Sequence, residues 1–147
     1  MDIFIHKFIL FLKFDLRLSV NTVSAYENDL KNYIQFLSYN KNIRNISKIK
    51  FEDIREYIVF ITKEGYKPSS VNRNISAIKK FHVFLLDNEL TSDNPSELLE
   101  SQKNRRNFPD TLSVNEIEEI FNVVNIDSLI GLRDLSILTL LYSTGMR

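Results

Sequence analysis

The chain has 147 residues, a formal net charge of zero, 44% hydrophobic residues and no cysteine. This composition is typical of a globular protein, and it excludes disordered chains, disulfide-stapled folds and thiolate zinc sites. The lack of cysteine favours a reducing, cytoplasmic location, and the three glycines and three prolines leave few turns, so long helices are expected.

The first predicted helix covers about residues 3–17. Charged residues interrupt the apolar N-terminal stretch, and no uncharged run approaches the ~18 residues of a membrane span, so we expect neither a signal peptide nor a span there. The apolar positions recur at the spacing of a core-facing helix: Ile5, Phe8, Ile9 and Leu12. The segment is therefore predicted to be an amphipathic core helix.

Three more amphipathic helices are predicted before residue 91. The second begins near Ser19 or Asn21, both good N-cap residues, and carries an apolar stripe of Val23, Tyr26, Leu30, Tyr33, Ile34 and Leu37. The third covers about residues 51–63 and stops at Gly65. The fourth begins after Pro68 with Ser69 as its cap, and its stripe is Val71, Ile75, Ile78, Phe81 or His82, and Leu85.

The character of the sequence changes after the fourth helix. Asn94 is expected to cap a short fifth helix that has Pro95 at its first position. Residues 101–107 are polar without a large apolar side chain, which predicts a linker and a domain boundary.

Two further helices are predicted beyond the linker. Ser113 and Glu116 form a capping box that opens a helix to about residue 124. The last helix covers about residues 129–142 and is apolar on nearly every side, which is typical of a helix buried all round. We expect its partners to lie outside these residues and the second domain to be incomplete. No stretch alternates apolar and polar residues, so the fold class is predicted to be all-α.

The charge is unevenly distributed along the chain. Residues 41–80 carry ten basic and four acidic side chains, whereas residues 81–100 carry five acids and no base. A basic block beside an acidic one suggests a polarised surface, and its basic side can face a polyanion such as DNA. The alternative is that these charges are ordinary solvated helix faces.

The C-terminal residues carry a resemblance to a known family. Residues 132–134 (Leu-Arg-Asp) and 140–147 (Leu-Leu-Tyr-Ser-Thr-Gly-Met-Arg) resemble tyrosine recombinases and phage-type integrases, in which an apolar helix ends in a Leu-Tyr-x-Thr-Gly-x-Arg turn. Upstream segments match the family in the same order: residues 21–26 with 29–30 and 36–37, residues 69–73 with 76–81, residues 93–95 and residues 108–113. The resemblance covers essentially the whole chain and is greatest to the Xer recombinases.

The resemblance implies a SAM-like, core-binding bundle of four to five helices over residues 1–100. A linker at 101–109 and the start of the catalytic domain at 110–147 would follow. Arg147 matches the first catalytic arginine of the family, which would stabilise the non-bridging oxygens when a tyrosine attacks a DNA phosphodiester. The alternative for Arg147 is a charge that favours a helix dipole. The other catalytic residues, including the tyrosine nucleophile, are expected beyond residue 147. Residues 1–147 alone are therefore expected to be inactive.

The resemblance also implies which residues meet DNA, because helices two and four of the family's N-terminal domain face the major groove. Helix two would present Asn21, Thr22, Asn28 and Lys31. Helix four would present Asn72, Arg73, Ser76, Lys79 and Lys80. Basic side chains can reach phosphates or guanine, and asparagine suits adenine. Glu27 stands where many members of the family have a basic residue, and Asp29 is nearby, so modest affinity is expected.

The function implied by the resemblance is site-specific DNA recombination on double-stranded DNA, with other recombinase subunits in a synaptic tetramer. No metal, nucleotide or other cofactor is expected, since the phosphotyrosine link conserves bond energy and His6 and His82 are too isolated to suggest a metal site. Two alternatives stay open: an inert DNA-binding module or regulator from a truncated integrase, and a helical protein–protein interaction domain. The sequence leaves chromosome dimer resolution and mobile-element integration both open.

Overall fold

The computed structural model describes residues 1–102 and 111–146 of the chain. Its helices are α1 (Asp2–Phe14), α2 (Val20–Asn40), α3 (Phe51–Lys63), α4 (Pro68–Asp87), α5 (Val114–Val123) and α6 (Leu129–Thr144), with a short 3₁₀ helix at Ile46–Lys48. Over these ranges there is no strand, which confirms the all-α class. The chain divides into two compact units, Met1–Arg105 and Arg106–Arg147.

The first unit is a bundle in which α2 and α4 each pack against the other, against α1 and against α3. The predicted apolar stripes form its core, with Phe8, Leu12, Leu30, Tyr33 and Phe81 fully buried. Tyr26, and Phe51 at the start of α3, are only partly buried at the edge of the core. Periodicity therefore located the core faces of the four helices because apolar residues at this spacing share one side of a helix.

One titratable ring lies inside this core. His82 has no exposed surface, and its Nε2 lies 3.2 Å from the Tyr33 hydroxyl, while its Nδ1 has no hydrogen-bond partner within the described structure. Burial lowers the pKa of His82 to about 4, because the imidazolium would lose its hydration. His82 is thus a neutral packing residue, as the sequence indicated, and Phe81 beside it is buried as well.

The helix ends follow local chemistry. The Ser19 hydroxyl accepts a hydrogen bond from the Thr22 amide at 3.3 Å, so Ser19 is the N-cap of α2. Gly65 follows α3 with a φ of +83°, the left-handed conformation that glycine adopts without strain. The predicted Ser69 cap of α4 is wrong: Pro68 occupies the first helical position and Lys67 the N-cap, since a proline suits a first-turn position that needs no donor.

The predicted short fifth helix is also wrong, because residues 94–99 form a turn. The Asn94 Oδ1 accepts from the Ser96 amide at 3.0 Å and from the Ser96 hydroxyl at 2.7 Å, which closes a local turn. The Leu99 amide then donates to the Ser96 carbonyl at 3.1 Å, and the buried Leu99 joins the core. The chain continues without helix or strand through residues 99–102, which are called the exit segment below.

The second unit contains α5 and α6. Ser113 and Glu116 form the predicted capping box, with the Ser113 amide donating to the Glu116 carboxylate at 2.7 Å. The sequence predicts that the packing partners of α6 lie outside these residues; within the described part, Gly131 is its only buried residue. Tyr142, for example, is 55% exposed. Within residues 111–146 only α5 is available to cover α6, through the contact of Phe121 with Tyr142.

Within residues 1–102 and 111–146, no helix is both long enough and apolar enough to cross a bilayer.

Candidate nucleic-acid interface

The outer face of α4 carries two polar stripes. Arg73 and Lys80 are seven residues apart and lie on one stripe, whereas Asn72 and Lys79 have the same separation and lie on the next. Ser76 is half-buried, and its hydroxyl donates back to the Asn72 carbonyl at 2.9 Å. The α4 residues that the sequence grouped together therefore have two different surroundings.

The first stripe faces α2. The Arg73 guanidinium donates through Nε to Asp29 Oδ2 at 2.8 Å and through Nη2 to Asp29 Oδ1 at 3.0 Å. This bidentate bond to a carboxylate raises the pKa of Arg73, so the side chain stays charged. The Arg73 side chain is nevertheless 45% exposed, and Lys80 is exposed one stripe position further along. Arg73 therefore joins the inside of the bundle to its surface.

Behind Arg73 lies a buried polar network. Asp29 is 3% exposed and also accepts from the Asn74 side-chain amide at 3.0 Å. That amide donates to the Ser70 carbonyl as well, and the Asn74 Oδ1 accepts from the Tyr57 hydroxyl at 3.0 Å. Burial, followed by the charge of Asp29, raises the pKa of Tyr57, which keeps its hydroxyl protonated as a donor. All three helices α2, α3 and α4 contribute to this network.

The second stripe of α4 holds the exit segment. The Asn72 side chain donates to the Gln102 carbonyl at 3.0 Å and accepts from the Gln102 amide at 2.8 Å. Lys79 Nζ donates to the Leu99 carbonyl at 2.9 Å. Asn72 and Lys79 thus satisfy backbone groups that no helix or strand would pair.

On α2, the predicted residues lie at or near the surface. Asn21 and Asn28 are exposed, and the Thr22 hydroxyl lies 2.9 Å from the Ser19 hydroxyl at the helix start. Lys31 donates to the Glu27 carboxylate at 2.7 Å, and this hydrogen bond lowers the pKa of Glu27. An exposed pair one helical turn apart contributes little to stability, so Lys31 can leave Glu27 for another anion.

Sequence reasoning missed the buried part of this site. It placed Asp29 only as an acid that opposes DNA, and it gave no role to Asn74 or Tyr57. A polar residue beside an apolar stripe, as Asp29 is, signals that a buried partner is needed. Arg147, the predicted catalytic residue, and the predicted linker from residue 103 onwards lie outside the described residues. In the described ranges, no group of three or more histidine or acidic side chains could hold a metal ion.

Comparisons with known proteins show the family to which the chain is similar. Residues 5–89 match the family model described as phage integrase, N-terminal SAM-like domain. Proteins named tyrosine recombinase XerD are similar over nearly the whole chain: that of Oceanobacillus iheyensis is 34% identical over 97% of this chain and 48% of its own length. That of Staphylococcus saprophyticus is 36% identical over 100% and 50%, and that of Staphylococcus aureus is 33% identical over 100% and 50%. The chain spans about half the length of these relatives.

Proposed function

The chain belongs to the phage integrase family of tyrosine recombinases, and from that membership we propose that it is the DNA-binding half of a site-specific recombinase. The observation that carries the proposal is the exposed Arg73–Lys80 stripe of α4, which lies beside α2 and is held there by a buried carboxylate. A charged guanidinium at a fixed place on a helix surface suits a row of DNA phosphates.

The proposed DNA face combines side chains from α2 and α4. Arg73 has five N–H donors and uses two of them on Asp29, so others remain for a phosphate or a guanine edge. Lys80, Lys31, Asn21 and Asn28 are exposed and add charge or base-reading amides. Thr22 and Ser76 belong to the same face. Asn72 and Lys79 belong to it only if they release the exit segment.

The proposed reaction belongs to a protein of the relatives' length. There, Arg147 would neutralise charge on the phosphate that a tyrosine attacks, and its fixed fork would serve better than a lysine. The partners would be double-stranded DNA and other recombinase subunits in a synaptic tetramer, without metal or nucleotide. Recombination of this kind takes place on the chromosome, which points to a cytoplasmic location, and the absence of cysteine accords with a reducing cytoplasm.

The test is the salt dependence of binding to duplex DNA. We expect the double variant Arg73→Ala/Lys80→Ala to bind more weakly than the parent, because lost phosphate contacts release fewer counterions. The slope of log affinity against log salt should flatten by about one to two units. Fluorescence anisotropy with a labelled mixed-sequence duplex measures both quantities.

The matched control is Arg44→Ala/Lys48→Ala, which removes the same charge from the exposed surface between α2 and α3. It should leave the affinity and the slope close to those of the parent. Equal binding by the parent and the Arg73/Lys80 variant at low salt would refute the proposed face, and salt-independent or absent binding by the parent would refute DNA binding itself.

A further inference from the structure

Beyond the presence of basic residues, we propose that Asp29 is a positioning residue for DNA binding, which holds the Arg73 guanidinium in the orientation that meets a phosphate. The inference rests on the proposed function and adds a specific role for a buried acid. Its basis is the two-point bond from Arg73 to Asp29, at 2.8 Å and 3.0 Å, on the exposed stripe of α4.

Asp29 cannot release Arg73 without penalty. The carboxylate is 3% exposed, so it depends on the hydrogen bonds that Arg73 and Asn74 donate, and losing its charged partner is unfavourable. A surface arginine ordinarily samples many rotamers and loses that freedom when it binds. Arg73 has lost much of it already, since both carboxylate oxygens hold its fork in one plane. The remaining N–H groups are therefore presented in a fixed direction.

The carboxylate is itself fixed from behind. The Asn74 amide donates to Asp29 Oδ1, and the orientation of that amide is set by the Tyr57 hydroxyl on its oxygen and the Ser70 carbonyl on its nitrogen. Tyr57 and Asn74 are each 1% exposed. A chain of hydrogen bonds thus runs from the core of the bundle to one exposed guanidinium, which is how a binding group is preorganised.

Two acids on α2 should consequently have opposite effects on DNA binding. Glu27 is exposed to a greater degree than Asp29 and pairs with Lys31, so its charge repels phosphate and occupies a useful lysine. Asp29 carries the same charge but acts through Arg73. Simple electrostatics predicts that DNA binds more tightly when either acid is neutralised. The positioning role predicts instead that neutralising Asp29 weakens DNA binding, whereas neutralising Glu27 strengthens it.

The experiment compares Asp29→Asn with Glu27→Gln in the full 147-residue chain. Asparagine has an NH₂ group in place of one carboxylate oxygen, and that group cannot accept a hydrogen bond from Arg73 or Asn74. The Arg73 guanidinium therefore loses its two-point bond. We expect Asp29→Asn to bind a mixed-sequence duplex about tenfold more weakly, the loss of roughly one charged hydrogen bond. The salt slope should fall by about one unit. Glu27→Gln should bind about twofold more tightly, since a repulsive exposed charge is gone.

A further variant guards against misfolding of Asp29→Asn, which circular dichroism would reveal. Arg73→Lys keeps the charge but cannot bridge two oxygens with a planar fork, so it should also weaken binding severalfold. Asp29→Asn in an Arg73→Ala background should cause no further weakening, whereas a merely structural role would add its own loss.

Tighter binding by folded Asp29→Asn, or parental binding by Arg73→Lys, would overturn the positioning role while leaving DNA binding by the parent intact. Absence of salt-dependent binding by the parent would instead overturn the proposed function and the inference together.

Discussion

The bundle of α1–α4 and the pair α5–α6 carry the same kinds of sequence signal, yet they differ in what they bury. Each bundle helix has at least four buried residues, whereas α5 has none and α6 has only Gly131 among the described residues. Each bundle helix has an apolar face and a polar face on opposite sides, but α6 is apolar nearly all round. Periodicity thus identifies a face that can be buried, but burial also needs packing partners: α5 has an apolar and a polar face, as the bundle helices do, and none of its residues is buried among the described residues.

The largest difference between the two regions is expected when one apolar side chain is truncated in each of them. Phe81→Ala should lower the free energy of unfolding of the bundle by about 3–5 kcal/mol, because Phe81 is fully buried against Phe8 and leaves a cavity. Ile137→Ala in α6, where Ile137 is 49% exposed, should cost about 0.5 kcal/mol or less. Urea unfolding followed by circular dichroism measures both. Comparable losses would show that α6 is as well packed as the bundle.

The next largest difference is expected in acid, which should destabilise the bundle more than the α5–α6 pair, because His82 lies in the bundle and residues 106–147 contain no histidine. The folded pKa of His82 is about 4, below the ~6.5 of an unfolded chain, so protons favour unfolding. Bundle stability should be complete above about pH 6.5 and should fall by up to about 3 kcal/mol as the pH drops to about 4.

Unfolding free energy measured across this pH range tests the assignment to His82. His82→Gln should flatten the dependence, whereas His6→Gln, at an exposed position of α1, should preserve it. An unchanged pH profile in His82→Gln would assign the acid sensitivity to other groups.

A smaller effect is expected at the C-terminal edge of the bundle, where Asn72 ties down Gln102. Asn72→Ala removes two hydrogen bonds to exposed backbone and should cost about 1 kcal/mol. The clearer readout is hydrogen exchange, since the Gln102 amide should lose its protection while the core amides of α4 keep theirs. Ser69→Ala, on the same helix without such a tie among the described contacts, is the control. Full protection of Gln102 in Asn72→Ala would show that the tie is dispensable.

Sequence alone predicted those features that depend on neighbours in the chain. The caps Ser19 and Ser113, the stop at Gly65 and the core stripes each follow from residues within a few positions of one another. The start of α4 and the turn at Asn94 were wrong because several residues competed for the same cap or turn, and local preference did not decide between them.

The candidate site was harder to predict, because its parts are distant in sequence. Arg73 and Asp29 are 44 positions apart, and Asn72 and Gln102 are 30 apart. The sequence grouped Arg73 and Lys80 with Asn72, Ser76 and Lys79 on helix four. It could not show that Asn72 and Lys79 hold the exit segment. Pairings of this kind follow from how helices pack, which one-dimensional patterns do not encode.

The Asp29–Arg73 pair also constrains how this sequence can diverge. A substitution at position 73 alone leaves the buried Asp29 carboxylate without its guanidinium, and one at position 29 leaves Arg73 and Asn74 without their acceptor, so each should destabilise the bundle. Because the Arg73 side chain is 45% exposed, the cost should be below the about 3–5 kcal/mol typical of a fully buried pair. Replacing both partners together by apolar residues can be nearly neutral for the fold. Positions 29 and 73 are therefore expected to change together, and a chain that changes both can keep its bundle while it loses an exposed guanidinium.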